Sequence, residues 1–123
     1  MINILAVGAG GFLGAVLRYL AGMLPLGQPS GFPLTTFCIN LLGSFLIGFV
    51  SQIAADRNAA GDPATLFLKV GLCGGFTTFS TFALENFTLI NENRTGMALL
   101  YMILSFSACI FGVMAGSALA RRV

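Results

Sequence analysis

A nine-residue stretch inside an apolar segment carries the residue types best suited to chemistry in this chain. It reads GGFTTFSTF from Gly74 to Phe82. Glycine and threonine weaken helix interiors, and every hydroxyl group placed in hydrocarbon needs a hydrogen-bond partner. A helix broken near Gly74–Thr77 would expose backbone oxygens, which can line a cavity or hold an ion. The alternative is an intact helix whose glycines lie at a close helix crossing.

The phenylalanines of this stretch point to a second kind of chemistry. Phe79 and Phe82 lie three residues apart, so both rings fall on one side of a helix. The edge of an aromatic ring carries positive potential. Ring edges beside Asn40, Ser80 and Thr81 would offer donors and mild positive potential without a full charge. This chemistry suits a small anion that is dehydrated, held and released, although paired rings also serve core packing.

The composition requires a membrane setting for these residues. The chain has 123 residues, of which 57% are hydrophobic and 8% are charged. A soluble domain of this length would carry about 25% charged residues. Four apolar stretches each reach the length of about 20 residues that a spanning helix needs: roughly 2–24, 34–55, 64–90 and 97–120. We therefore predict an all-α membrane protein in which residues 1–123 form one unit of four transmembrane helices.

The residue types needed for common enzymatic chemistry are scarce. Histidine is absent, and the four acidic residues form no close pair in the sequence. Cys38, Cys73 and Cys109 lie in separate apolar stretches without the spacing of a redox or zinc motif. They are interpreted as small buried hydrophobic residues. The chain is not expected to be an enzyme.

Each apolar stretch also carries a stripe of small or polar residues at helical spacing. In the second stretch the stripe includes Asn40, and in the fourth it includes Tyr101 and Ser105. Glycines at such positions are interpreted as close helix contacts. For Asn40, helix packing and an ion pathway are both open, because an amide in a bilayer must be hydrogen-bonded.

Basic residues give only a weak prediction of orientation. With four spans, one side holds four basic residues and the other holds two: Arg57, Lys69, Arg121 and Arg122 against Arg18 and Arg94. So small a difference permits insertion in both orientations. Arg18 lies near the end of the first span, where it either extends to the interface or raises the anion concentration at a pore mouth.

Three segments resemble the Fluc/CrcB family of fluoride channels. They are GGFLGAVLRY from Gly10 to Tyr19, NLLGSF from Asn40 to Phe45, and the stretch from Gly74 to Phe82. The resemblance extends over essentially the whole chain. It implies an antiparallel, dual-topology homodimer in the prokaryotic cell (inner) membrane. Fluoride would leave the cell passively, down its electrochemical gradient, through two pores lined by both subunits.

The resemblance also implies roles for individual residues. Arg18 would lie near a pore vestibule. The carbonyl oxygens of Gly74 and Thr77, with the same atoms of the partner subunit, would coordinate a central structural sodium ion. One departure is Cys109, which stands where the family commonly has a serine. The residues implied to line the fluoride pore are Asn40, Phe79, Ser80, Thr81, Phe82, Tyr101 and Ser105.

Two other functions are compatible with four short spans. A small proton-coupled drug exporter would need a membrane-embedded acid in its first span, where this chain has Arg18. A non-transporting assembly subunit would use the polar stripes only to pack helices, and would have a stable partner of another kind.

Overall fold

The computed structural model describes residues 1–24, 26 and 31–123, and this part of the chain contains helices and no strands. The predicted connection Pro25–Pro33 lies mostly outside the described residues. Four helical segments are long and apolar enough to span a membrane, so the prediction of an all-α protein with four such helices is confirmed. They are α1 (Ile2–Gly22), α2 (Leu34–Asp56), the composite segment Pro63–Asn91 and α6 (Thr95–Ala120).

The composite segment, called the third span below, is not a uniform helix. It begins as α3 (Pro63–Leu66), continues as a π-helix (Phe67–Cys73) and a short α4 (Gly74–Phe76), and resumes as α5 (Phe79–Asn91). Between α4 and α5, Thr77 has ψ 158° and Thr78 has φ −151° and ψ 116°. These three angles are those of extended backbone. Within the stretch expected to be irregular, Gly74 is therefore helical and the extended residues are Thr77 and Thr78.

Asparagines close the turns after α2 and α5. Asn58 and Asn93 adopt positive φ angles of 52° and 59°, which asparagine tolerates better than most residues. In each turn the amide of the third residue beyond the helix end donates back into the helix: Ala59 N to the Ala54 carbonyl and Arg94 N to the Leu89 carbonyl, both at 2.8 Å. This Schellman arrangement satisfies carbonyls that the helix leaves free and keeps the connections short.

Glycines let α1 lie directly against the first half of the third span. A Cβ atom on Gly14 would lie 2.7 Å from the Phe76 amide nitrogen, and one on Gly71 would lie 2.8 Å from the Val7 carbonyl oxygen. Neither distance is tolerated by a real side chain. Backbone thus packs on backbone along this contact, as in other small-residue helix pairs in membranes.

Replacing Gly75 by alanine is expected to destabilise this contact. The new Cβ would lie 2.6 Å from the Gly11 carbonyl oxygen, so α1 must shift. Overpacking of this kind costs roughly 1–3 kcal/mol. Thermal unfolding in detergent micelles should show a lower midpoint for Gly75→Ala. The matched control is Gly8→Ala on α1, where nothing lies within 4 Å of the new atom; an equal loss in both variants would contradict the packing account.

The pair α2 and α6 packs in the same way. A Cβ atom on Gly116 would lie 2.9 Å from the Phe49 amide nitrogen, and one on Gly48 would lie 2.9 Å from the Val113 carbonyl carbon. The glycine stripes of the second and fourth spans are therefore close helix contacts, as their spacing indicates.

The buried core of a single chain is small. It centres on Phe82, Leu89, Ala98 and Tyr101, where α5 packs on α6. Many large apolar side chains on the helices are exposed instead, such as Phe12, Ile103 and Phe111. Exposed apolar side chains over spanning-length helices are typical of a protein surrounded by lipid. The described residues thus have the helices and the surface expected of a multi-pass membrane protein.

Candidate ion-binding site

Asn40 of α2 holds the extended residues of the third span. Its side-chain oxygen Oδ1 accepts from the Thr78 amide at 2.8 Å, and its Nδ2 donates to the Thr78 carbonyl at 3.1 Å. The side-chain amide thus pairs with the backbone as a neighbouring strand would. Thr78 is buried, and its backbone groups would otherwise have no partner from the helices on either side.

Thr78 also begins the second half of the span. Its hydroxyl Oγ1 accepts from the Thr81 amide at 3.2 Å, which makes Thr78 the N-cap of α5. The same oxygen donates to Thr81 Oγ1 at 3.0 Å and lies 3.3 Å from Ser80 Oγ. The hydroxyls of Ser80 and Thr81 are therefore tied to the cap.

These bonds leave two backbone oxygens without their usual helical donors. The amide that would close a helical bond onto the Gly74 carbonyl is that of Thr78, which donates to Asn40. The amide four residues beyond Thr77 is that of Thr81, which donates to Thr78 Oγ1. Gly74 is exposed in the single chain. Neutral carbonyl oxygens of this kind are suited to a hard cation such as sodium.

A cavity of about 340 Å³ lies beside this part of the third span, bounded by α2 and α6. Every described residue that lines it is uncharged. Two of them are hydroxyl residues contributed by α2 and α6, Ser44 and Ser105. The lining residues are Asn40, Gly43, Ser44, Ile47, Cys73, Thr77, Thr78, Phe79, Phe82, Ser105, Phe106, Cys109 and Ile110.

The two phenylalanines of the predicted pair both border the cavity but differ in burial. Their ring centroids are 5.6 Å apart at an interplanar angle of 39°. Phe82 is 6% exposed and its ring lies edge-on to Phe106, at 5.9 Å and 81°. Phe79 is 71% exposed in the single chain. Phe82 is thus fixed by its neighbours, whereas most of the Phe79 surface is uncovered in the single chain.

Ser105 brings an unused hydrogen-bonding group to the cavity. The residue is 6% exposed, and its Oγ has no hydrogen-bond partner among the described residues. Buried hydroxyls are rarely left without a partner. This hydroxyl is free to donate to an ion or a water molecule in the cavity.

Glu85 is held by a network that the sequence did not reveal. Its Oε1 accepts from Thr36 Oγ1 at 2.6 Å, and its Oε2 accepts from the Tyr101 hydroxyl at 2.8 Å. A carboxyl group in a membrane segment needs such partners. The three side chains come from α2, α5 and α6, so the network ties these helices together.

Replacing Tyr101 by phenylalanine is expected to lower the unfolding midpoint in detergent. The hydroxyl is lost from a residue with no exposed surface, and one oxygen of Glu85 loses its donor. Hydrogen bonds between membrane helices contribute about 0.6 kcal/mol on average and reach roughly 1.7. Thr36→Val should behave similarly, and the double variant should lose less than the sum of the two. Additive losses would show that the two hydroxyls do not act through Glu85.

The structure brings four of the predicted pore residues to one cavity: Asn40, Phe79, Phe82 and Ser105. The others lie elsewhere. Tyr101 packs its ring 5.0 Å from Phe82 and turns its hydroxyl to Glu85. Ser80 and Thr81 surround the Thr78 cap. Arg18 is half-buried on α1, and its Nε has no hydrogen-bond partner among the described residues.

Sequence reasoning passed over Thr78, which joins Asn40 to the third span. Threonine is a favoured N-cap residue, and this preference is the signal that could have singled out Thr78. The three cysteines differ in burial. Cys73 is buried, but Cys109 is half-buried and Cys38 is exposed, so the interpretation of all three as buried hydrophobic residues is wrong.

Comparison with known proteins gives a consistent family assignment. The family model described as CrcB-like protein, Camphor Resistance (CrcB), matches residues 5–117. The fluoride-specific ion channel FluC of Ruminiclostridium cellulolyticum is 42% identical over 124 residues, covering 100% of this chain and 95% of the relative. FluC of Chlorobaculum tepidum is 44% identical over 121 residues, covering 98% and 96%. FluC of Rhizobium meliloti is 42% identical over 122 residues, covering 98% of each.

Proposed function

Because the chain belongs to the CrcB family, whose relatives are named fluoride-specific ion channels, we propose that it conducts fluoride passively out of the cell. The family consists of ion channels, which confirms the resemblance and the expectation that the chain is not an enzyme. The observation that carries the proposal is the uncharged cavity beside Asn40.

The cavity suits an anion that must lose and regain water quickly. Fluoride can accept from the second N–H of the Asn40 amide, since only one is used on Thr78, and from the free hydroxyl of Ser105. The ring edges of Phe79 and Phe82 add weak positive potential. Several weak sites let an ion enter and leave, whereas a fixed cation at the same place would hold it too tightly. The side of the cavity formed by Phe82 and Thr78 is supported by Tyr101, Ser80 and Thr81. These three residues extend the row of polar side chains along which fluoride would move.

The exposed part of the third span favours a second subunit. Gly74 and Ser80 are exposed in the single chain, and polar groups exposed to lipid at membrane depth are costly. Phe79 is likewise exposed beside the cavity. We place a second copy, inserted in the opposite orientation, against this surface, so that two pores are lined by both subunits. The small charge difference between the two sides permits both orientations.

The carbonyl oxygens of Gly74 and Thr77 are the groups that would hold sodium at the centre of this dimer. Both lack their usual helical donors, which fits coordination by a hard cation. A bound sodium would supply positive charge between the glycine-rich segments of the two subunits. We propose that Arg18, whose Nε has no hydrogen-bond partner among the described residues, lies near a vestibule, where it would raise the local anion concentration.

The proposal is tested with purified protein in liposomes. The vesicles are loaded with potassium fluoride, and release is followed with a fluoride electrode after valinomycin allows potassium to leave. Rapid release without ATP or a proton gradient is expected, together with a dimer in chemical cross-linking. Release no faster than from protein-free vesicles, despite intact dimers, would show that the protein does not conduct fluoride and would leave assembly as its role.

A further inference from the structure

We propose that Cys109 forms a binding site for thiophilic metal cations, such as Hg²⁺, inside the cavity beside Asn40. Bound metal closes this cavity to anions. The blocking effect rests on the proposed fluoride function, whereas binding of the metal does not. The anion pathway does not require the Cys109 sulfur, whereas the hydroxyl of Ser105 beside it belongs to both sites.

The first observation is the position of the thiols. Cys109 of α6 and Cys73 of the π-helix both line the cavity, although they come from different spans. Cys109 is half-buried, so its sulfur is reachable from the cavity, whereas Cys73 is 3% exposed. Both cysteines are free thiols. Cys109 is therefore the residue on which a metal ion entering the cavity first binds.

The second observation is an unpartnered group in the same wall. Ser105 lies four residues, about one helical turn, before Cys109, and its buried Oγ has no hydrogen-bond partner among the described residues. A ligand on Cys109 would thus lie beside an oxygen that is ready to contact it. Sulfur and a neutral oxygen on adjacent turns favour a soft cation over a hard one, because thiolate ligands select soft metals.

The reaction is a simple exchange at mercury. The Cys109 thiol loses its proton to water, a sulfur–mercury bond forms, and mercury(II) chloride releases one chloride ion. The product, a cysteine sulfur bearing HgCl, adds the bulk of two heavy atoms to a cavity of about 340 Å³. Fluoride is then excluded from this part of the path, so flux stops.

Cys38 provides an internal control within the same chain. It is exposed on α2 and is not among the residues that line this cavity. Mercury therefore binds Cys38 as well, without entering the anion path. Replacing one cysteine at a time therefore separates the loss of fluoride efflux from the binding of mercury.

The test treats the reconstituted dimer with mercury(II) chloride. Fluoride efflux is compared with the efflux of the same variant before treatment, and mass spectrometry locates the bound mercury. We expect wild type and Cys38→Ser to lose flux by about tenfold or more, and dithiothreitol to restore it. Cys109→Ser should keep most of its own untreated flux. Cys73→Ala should remain sensitive, because its thiol is the less accessible of the two.

Several results would overturn the inference. Block that persists in Cys109→Ser, or that disappears only in Cys73→Ala, would place the site elsewhere. Mercury found on Cys109 without loss of flux would refute the blocking effect, and mercury found on Cys38 alone would refute the site. If untreated vesicles release no fluoride, the proposed channel function fails, while the mass measurement still decides whether Cys109 binds the metal.

Discussion

Replacing Asn40 by alanine is expected to reduce fluoride efflux by about 100-fold or more, because the variant loses both a donor to the anion and the support of the Thr77–Thr78 backbone. The amide and carbonyl of buried Thr78 lose the partners that lie at 2.8 and 3.1 Å. Each unsatisfied buried group costs about 1–3 kcal/mol, so the unfolding midpoint in detergent should fall as well. Efflux is measured on protein that still elutes as a dimer.

Two further variants separate conduction from folding at this position. Asn40→Asp keeps an oxygen that can accept from the Thr78 amide but adds a negative charge facing the anion path. Its fluoride efflux should therefore fall by a larger fraction than its free energy of unfolding. Cys38→Ala lies on the same helix with an exposed side chain and should change neither quantity. Fluoride efflux at the wild-type rate through Asn40→Ala would show that the Asn40 amide takes no part in the anion pathway.

Replacing Phe79 or Phe82 by isoleucine is expected to lower fluoride efflux by about tenfold or more while leaving dimers intact, because isoleucine has no positive ring edge. The two variants should differ in stability. Phe82 packs against the rings of Tyr101 and Phe106, so its loss costs about 1–3 kcal/mol. Phe79 is 71% exposed in the single chain, so its replacement should lower the free energy of unfolding less than replacement of Phe82 does.

Phe87→Ile is the matched control for this pair. Phe87 lies on the same helix, α5, is 60% exposed and is not among the residues that line the cavity. Its replacement should leave efflux unchanged. Unchanged efflux in Phe79→Ile as well would mean that the rings serve packing alone, the alternative that the sequence left open.

The helices could be predicted from the sequence because length and apolar character decide whether a segment crosses a membrane. Among the residues that the structure describes, the four apolar stretches correspond to four helices of spanning length. Glycine stripes likewise predicted close helix contacts, since a missing Cβ matters only where backbones approach. Gly14 and Gly116 lie at such contacts.

The position of the extended residues could not be read from glycine content. Gly74 and Gly75 have the weakest helix propensity in the stretch, yet both are helical. Gly75 instead lies where the backbone of α1 comes too close for any side chain. The backbone is extended at Thr77 and Thr78 because Asn40 supplies the hydrogen bonds that a helix would have made there. That partner is 38 residues away in the sequence, and local propensity contains no information about it.

The arrangement of polar residues around the cavity was predicted only in part. Helical spacing places Asn40 and Ser105 on polar faces of their helices, and the cavity lies between those faces. The same spacing assigns Tyr101 to the stripe of Ser105. Its hydroxyl nevertheless turns to Glu85, because a carboxyl group among apolar helices takes every donor within reach. Such pairings across three helices follow from packing, which a stripe on one helix does not specify.

The most direct test of the account is the potential at which net fluoride movement stops. Vesicles containing the protein are given a tenfold fluoride gradient, and valinomycin with potassium sets the membrane potential. Passive conduction predicts zero net flux at about 59 mV, the potential that balances a tenfold ratio of a monovalent ion. The value should stay the same when a proton gradient is added. A zero-flux potential that moves with the proton gradient would show coupled transport and contradict the account.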